Sequence, residues 1–491
     1  MNVLLIQPPI TITKGEVLGI TQPLGLAYLA SVIEQNGHHV EILDTIVEGY
    51  NFRCYENGLI RIGLKWNSIQ KEVERFHPDL VGITCPYTLM DKEMRTVAAL
   101  VKNVDHNIPV VVGGAHPSCM PEYVIRDPNI DFLVIGEGEM IFLDLIKKID
   151  ENVSCLDIKG LWSKVDGKIE KNAKREFIKD LDSIPFPAWH LLPIEKYIKI
   201  GQAHGSQKRK RFASIITSRG CPGNCVFCSI HSVWGYNWRA RTPENVVSEI
   251  EKLVSEYKIR EIHFEDDNLT LSKQRMAKIC DLIIERNLDI SWTTPNGVAV
   301  NTLDLDLLEK MKKSGCYQLS FGIESGDPYV LREIIHKPIN LGTVRTVIDW
   351  SKKLGIWTHG FFVLGFPGES SENIRHTITF AKESNLDSAN FFIATPYPGT
   401  QLYFLASSRR LLKNDFKLVK LRTMDAAMDT EYYTAKELTG LQKKAYLEFM
   451  KYRLKREIIN GQIFRRFSEI RSLEDVTFLV RKIRRLKSIF R

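Results

Sequence analysis

A chain of 491 residues is long enough for two or three domains with ample core. Its 44% apolar and 26% charged residues are ordinary for a globular protein. No apolar run reaches the roughly 18 residues a spanning helix needs, and the start Met1-Asn-Val-Leu-Leu-Ile-Gln7 reads as a strand rather than a signal peptide. The nine cysteines, odd in number and without framework spacing, exclude a disulfide scaffold and point to a reducing compartment, so a cytoplasmic location is expected.

Residues 1–150 alternate short apolar runs with helical patterns. Val3–Ile6, Val40–Leu43, Leu80–Thr84, Val110–Val112 and Phe132–Ile135 read as strands. Leu24–Glu34 and Lys92–Lys102 have the apolar spacing of amphipathic helices. Five strands with helical crossovers predict a doubly wound parallel sheet, which binds ligands outside the carboxyl ends of its strands. Those ends read Gln7-Pro-Pro, Asp44-Thr, Thr84-Cys-Pro, Gly113-Gly114-Ala-His116-Pro-Ser and Gly136-Glu137-Gly138-Glu. Glycines there let backbone amides approach a bulky or anionic ligand, although any one of them also serves a tight turn. Residues 151–210 read as a hairpin near 158–174 followed by a proline-rich packed linker, Leu181-Asp-Ser-Ile-Pro-Phe-Pro-Ala-Trp-His-Leu-Leu-Pro193.

From Phe212 a second βα series runs to about residue 405. Its strand candidates are Phe212–Thr217, Glu261–Phe264, Ile290–Thr293, Tyr317–Phe321, Trp357–Leu364 and Ser388–Ile393. Six βα units predict an open, partial (β/α)6 barrel, and barrel enzymes place their chemistry at the carboxyl ends of the strands. There the chain carries Thr217-Ser-Arg-Gly-Cys221-Pro-Gly-Asn-Cys225-Val-Phe-Cys228, then Glu265-Asp266-Asp267-Asn268 and Pro295-Asn296-Gly297. Gly322-Ile-Glu324-Ser-Gly326, Gly365-Phe-Pro-Gly-Glu369 and Thr395-Pro-Tyr-Pro-Gly-Thr400 follow. Three thiolates from one short loop suit a 4Fe–4S cube with one iron left open. A zinc site with a distant fourth ligand is the plainer alternative, though structural zinc favours paired C-x2-C units.

Residues 406–491 read as helical and basic. Between Leu441 and Arg491 stand fifteen Lys/Arg and five Asp/Glu, while the whole chain carries +8. In Arg481–Arg491 the residues Ile483, Leu486, Ile489 and Phe490 form one helical stripe. Such a face fits either an anionic membrane surface or a helix docked on the protein with its basic side in water. Few aromatics interleave with the charges, which argues against nucleic acid as a partner.

On these residues the chain resembles the cobalamin-binding-domain class of the radical S-adenosylmethionine (SAM) superfamily. The C-x3-C-x2-C loop is that superfamily's cluster motif. Gly113-Gly-Ala-His-Pro-Ser, Gly136-Glu-Gly-Glu139, Phe186-Pro-Ala-Trp, Trp238-Arg-Ala-Arg-Thr-Pro-Glu and Thr395-Pro-Tyr-Pro-Gly-Thr look like recurring signatures of the class, and the likeness covers residues 1 to about 405. It implies one 4Fe–4S cluster on Cys221, Cys225 and Cys228, with SAM chelating the fourth iron. It implies SAM contacts at Phe227, Gly322 and Glu324, with Asp266, Asp267 and Arg239 as weaker candidates. For cobalamin it implies Gln7, Thr84, Gly113, Gly114, His116, Glu137 and Gly138. The histidine motif Asp-x-His-x-x-Gly, which ligates cobalt in other cobalamin proteins, is absent from the amino-terminal domain.

The expected chemistry is reductive cleavage of SAM to a 5′-deoxyadenosyl radical, fed by a flavodoxin- or ferredoxin-type one-electron donor. Methylation of a carbon in a lipid or secondary metabolite would follow. An oxidative cyclase uses the same parts. A transfer RNA methylthiotransferase is a weaker fit, because Cys54, Cys85 and Cys119 do not sit together at adjacent strand ends. A non-catalytic cobalamin or iron sensor would not need the intact cluster loop.

Overall fold

The computed structural model describes residues 1–459 and Val476, apart from Lys14, Gly15, Val17, Asn57, Asp166, Val419 and Lys420. The basic stripe expected at 481–491 lies outside the described residues. Two compact units share the chain: Met1–Gly201 with Ser229–Arg239, and Gln202–Cys228 with Ala240–Phe416 and the residues from Leu421 onward.

In the first unit the strands are β1 (Asn2–Gln7), β2 (Ile10–Thr13), β3 (His39–Asp44), β4 (Arg53–Glu56), β5 (Leu59–Ile62), β6 (Leu80–Thr84), β7 (Val110–Gly113), β8 (Phe132–Val134), β9 (Leu161–Val165) and β10 (Lys168–Lys171). The main sheet runs β10-β9-β8-β7-β6-β1-β3, with β3, β1, β6, β7 and β8 parallel. The five parallel strands therefore have the order 2-1-3-4-5, and the switch point falls between β1 and β6. Their apolar runs are continuous because both faces are covered. Leu4, Ile6, Val81, Ile83, Val110, Val112 and Leu133 pack in one core cluster with Ile69, Val73, Met94 and Val97 of the helices Trp66–Phe76 and Asp91–Val104. Val3, Leu5, Leu80, Val111 and Val134 pack in the other with Leu26, Ile33, Ile141 and Leu145 of Leu24–Gln35 and Glu139–Asp150.

Two features differ from the sequence reading. The hairpin β9–β10, expected in the linker, continues the main sheet: β9 pairs antiparallel with β8, Phe132 opposite Ser163. The second feature is a small antiparallel sheet, β2-β5-β4, which has no counterpart among the expected strands. Its four-residue strands are too short to show a period.

The second unit holds six parallel strands in sequential order: β11 (Phe212–Ile215), β12 (Glu261–Phe264), β13 (Ser291–Val298), β14 (Cys316–Glu324), β15 (Trp357–Leu364) and β16 (Ser388–Ile393). Helices that follow strands here begin on side-chain caps. Thr242, Ser272, Asp304, Asn340 and Ser370 accept from the amides of Asn245, Arg275, Leu307, Thr343 and Asn373. Buried Glu261 accepts from the Lys208 amide (2.9 Å) and from Tyr317 Oη (2.7 Å), and Tyr317 Oη also lies 2.8 Å from the Ser206 carbonyl. The segment ahead of β11 is thereby fastened along β12 and β14. The expected carboxyl-terminal helix runs Ala435–Ile459; its Phe449 meets Phe391 of β16 edge-on, with ring centroids 6.2 Å apart.

Asp44, at the carboxyl end of β3, is buried. It accepts from the amides of Ile46 (3.0 Å) and Val47 (3.2 Å) and from Tyr197 Oη (2.5 Å). Burial pushes its carboxyl up to about 6 against the pull of the Tyr197 hydrogen bond. Tyr197→Phe leaves a buried carboxylate short of one donor, and urea denaturation should show a loss of roughly 1–3 kcal/mol.

Candidate functional site

The cysteine loop leaves β11 at a point fixed from three directions. Buried Asp266, just past β12, accepts from the Thr217 amide (3.2 Å), from Thr217 Oγ1 (2.7 Å) and from Ser218 Oγ. Arg275 donates to the carbonyls of Thr217 (2.9 Å) and Arg241 (2.7 Å). Arg241, itself paired with buried Glu249, donates to the Ile216 carbonyl (3.1 Å). Asp266 is thus spent on the foot of the loop, with burial raising its carboxyl above the ordinary range, while Asp267 is exposed. Farther along, the Val226 amide donates to the Ile335 carbonyl (3.1 Å) and the Val226 carbonyl accepts from the Leu402 amide (2.8 Å). Phe227 packs its ring 5.9 Å from that of Phe366.

Between these anchors Cys221, Cys225 and Cys228 are all partly buried. The bare α-carbon of Gly223 faces two of the sulfurs: a Cβ there would lie 3.4 Å from Cys221 Sγ and 3.9 Å from Cys225 Sγ. The Gly223 amide (3.4 Å) and Asn268 Nδ2 (3.8 Å) both donate toward Cys221 Sγ. Among the described residues no three Cys, His, Asp or Glu side chains close around one point as a single metal ion demands. A four-iron cube spreads its thiolates over separate corners, so three thiols on one open loop fit a cube.

The wall beside the cradle comes from β14. Gly322 and Glu324, expected just past that strand, lie within it, at a register shift against β15. Pro295, Asn296 and Gly297 likewise lie inside β13. These residues read as strand ends because Pro and Gly usually terminate strands, whereas both pairings carry bulges that absorb them. Glu324 has φ +66°, a left-handed backbone that costs of order 1–3 kcal/mol in a residue with a side chain. Its carboxylate pairs with Lys337 Nζ at 2.8 Å, and Lys337 also donates to the Gly322 carbonyl at 2.8 Å. Burial pushes the Cys225 thiol up to about 11, with the Lys337 charge drawing it down and Glu324 pushing it higher. Asn268 closes the strand-end run Glu265-Asp266-Asp267-Asn268, whereas no sequence motif marks Lys337.

In the first unit, Gln7 and Thr84 stand at the carboxyl ends of β1 and β6, at the switch point. Gly114 (φ +113°) is demanded by a close approach, since a Cβ there would lie 2.9 Å from the Cys85 carbonyl oxygen. Gly113 ends β7, and Gly138 packs where a Cβ would lie 3.3 Å from Leu29. His116 is not a loop-surface residue: its side chain is fully buried, with Nε2 3.1 Å from Asp91. Glu137 is also engaged within the protein, by Arg239 at 2.8 Å and by the Ile178 amide at 2.7 Å. The Arg239 guanidinium also donates to the Ile178 carbonyl at 2.6 Å. Small, neutral and amide side chains at the switch point suit the amide-rich rim of a corrin. Cys54 is exposed on β4, Cys85 is buried and Cys119 is intermediate, and they form no ligand group among the described residues.

Comparison with known proteins falls on the same two regions. A family model described as a B12 binding domain matches residues 10–146, and one described as the Radical SAM superfamily matches residues 215–381. An uncharacterized methyltransferase of Pyrococcus horikoshii is 39% identical over 91% of this chain and 92% of its own. The cytidylyl-2-hydroxyethylphosphonate methyltransferase of Streptomyces wedmorensis is 35% identical over 82% and 80%. The anaerobic magnesium-protoporphyrin IX monomethyl ester cyclase of Rubrivivax gelatinosus is 30% identical over 82% and 69%. Two solved structures share the fold. The cobalamin-dependent SAM radical enzyme OxsB matches with a TM-score of 0.72 at 16% identity, covering 100% of this chain and 72% of that one. The radical SAM methyltransferase TsrM of Kitasatospora setae matches with a TM-score of 0.67 at 18% identity, over 83% and 75%.

Glu369 sits behind Phe366, and its carboxylate accepts from the amides of Gly365 (2.6 Å) and Phe366 (3.0 Å). Burial pushes its carboxyl from 4.5 up to about 8, so it is largely protonated at neutral pH. A folded-state value above the unfolded one stabilises fully below about 4.5, and that contribution fades as pH climbs through 8. Glu369→Gln keeps the acceptor and removes the proton. Urea midpoints of wild type relative to this variant should fall between pH 4.5 and 8 and then level off.

Proposed function

The chain belongs to the cobalamin-binding class of radical S-adenosylmethionine methyltransferases, and on that premise we propose that it methylates an unactivated carbon of a lipid or secondary metabolite. The cradle of three thiols carries this reading, because it presents ligands to three corners of a cube and leaves the fourth free. Loaded with cluster, SAM and cobalamin, the site has one-electron reduction of a sulfonium and methyl transfer available to it. The chain's own residues supply placement. Asp266 and Arg275 fix the foot of the loop, while Val226, bonded on both sides, fixes its middle. Phe227, backed by Phe366 and Glu369, offers an aromatic face for the adenine. The bulged edge of β14 at Gly322 and Glu324 would hold SAM along its length.

For the corrin we assign Gln7, Thr84, Gly113 and the Gly136–Gly138 turn as contacts. His116 and Glu137 act behind this surface, since Asp91 and Arg239 already hold them. The electron donor is a flavodoxin- or ferredoxin-class protein. No helix among the described residues is long and apolar enough to cross a membrane. We assign the basic stretch 476–491 to an anionic membrane surface, and its deletion should weaken sedimentation with anionic liposomes.

A second reading, oxidative cyclisation without methyl transfer, draws support from the Rubrivivax cyclase likeness. Incubation of anaerobically reconstituted protein with methyl-labelled SAM and extracts of a deletion strain separates the two. Label in a carbon-bound methyl group supports methylation, and a labelled-SAM-dependent product without label supports the cyclase. Cys225→Ala should lower iron from about four per chain to near zero and abolish SAM cleavage, while corrinoid absorbance stays close to wild type. Parallel loss of corrinoid and iron contradicts the division of labour between the two units.

A further inference from the structure

Lys337 stands outside every motif, yet its position is unusually well determined. Its ammonium donates to the Gly322 carbonyl and to Glu324 Oε1, both at 2.8 Å. The pair sits against the bare α-carbon of Gly322, where a Cβ would lie 2.8 Å from both Lys337 Nζ and Glu324 Oε1 and would displace them. Two residues before Lys337, the Ile335 carbonyl takes the amide of Val226, the neighbour of Cys225. The turn that carries the lysine is thus tied by backbone to the loop that carries the thiols. The Lys337 amide closes the turn on the Leu331 carbonyl at 2.8 Å, after a stretch of π-helix, Val330–Ile334. One extra residue per turn is a feature that recurs at functional sites.

We propose that Lys337 is a positioning residue that sets the charge balance of the cluster on Cys221, Cys225 and Cys228, with Glu324 as its counterweight. A cube held by three thiolates is anionic and gains one further negative charge when the donor protein reduces it. A fixed cation beside it favours the reduced form, and a fixed carboxylate opposes it. The charges act on each other through a partly buried wall, where they are weakly screened. In agreement, the ammonium of Lys337 is raised by Glu324, Cys225 and Cys221 against the pull of burial. Glu324, in its left-handed backbone, aims its carboxylate at the lysine and keeps the cation from being fully expressed.

This inference rests on the cluster reading of the preceding section, and its test separates the two. Full-length protein is reconstituted anaerobically, iron and zinc are counted, and the cluster is titrated potentiometrically by electron paramagnetic resonance without SAM. Wild type and the variants Lys337→Met, Lys337→Arg and Glu324→Gln are compared. About four irons per chain are expected in wild type. Lys337→Met should lower the reduced-to-oxidised ratio at a given poise about tenfold, which is about 59 mV for one electron. Glu324→Gln should move the midpoint the opposite way, and Lys337→Arg should restore it. If Lys337→Met takes up no cluster, the upward shift in Glu324→Gln decides the matter. An unchanged midpoint in Glu324→Gln, or shifts of the same sign in both charge-removing variants, overturns the inference while leaving the cluster reading in place. Zinc in place of iron in wild type overturns both.

Discussion

The three cysteine sulfurs act as a set only because the loop between β11 and Cys228 cannot relax. A loop that carries Gly220, Pro222 and Gly223 has many conformations, and fixing them costs roughly 1–2 kcal/mol per residue. That cost is met by hydrogen bonds at its foot and middle: Asp266 on Thr217 and Ser218, Arg275 on the Thr217 carbonyl, and Val226 held on both sides by Ile335 and Leu402. Most of these groups are buried, where a lost partner is expensive and a satisfied one is rigid. The loop that carries the thiols is thereby fixed at its foot and middle, and the bare α-carbon of Gly223 faces the first two sulfurs.

Electrostatics in the second unit follows the same logic of opposed, fixed charges. Arg241 faces Glu249 and Lys337 faces Glu324, each pair largely withdrawn from water. Breaking one such pair leaves an uncompensated buried charge, so they hold geometry more than they add stability. Glu369 takes the other route. Among the described residues it forms no ion pair, remains mostly protonated at neutral pH, and still accepts the two amides that place Phe366 against Phe227.

Much of this was readable from residues alone. The alternation of apolar runs and capped amphipathic helices places the five parallel strands of the first unit and the six of the second, because period and cap chemistry are local properties. The cysteine spacing and the polar rim are local too. What escaped is non-local. The hairpin β9–β10 reads as a hairpin from its turn, but nothing in its sequence says that it extends the sheet at Phe132–Val134. Pro295, Gly297 and Gly322 look like strand ends because a bulge has no sequence signature of its own. His116 and Glu137 read as strand-end residues, and nothing in the sequence says that Asp91 meets the one and Arg239 the other. Lys337 has no motif at all and is recognisable only by what it touches.

The central claim is that three thiols leave one iron of a four-iron cube open to the amino acid end of SAM. Electron–nuclear spectroscopy on reduced, reconstituted protein, with SAM carrying oxygen-17 in its carboxylate and nitrogen-15 in its amine, addresses that corner directly. Hyperfine coupling of both nuclei to the cluster is the expected result. A cluster signal that shows no coupling to either nucleus would contradict the account.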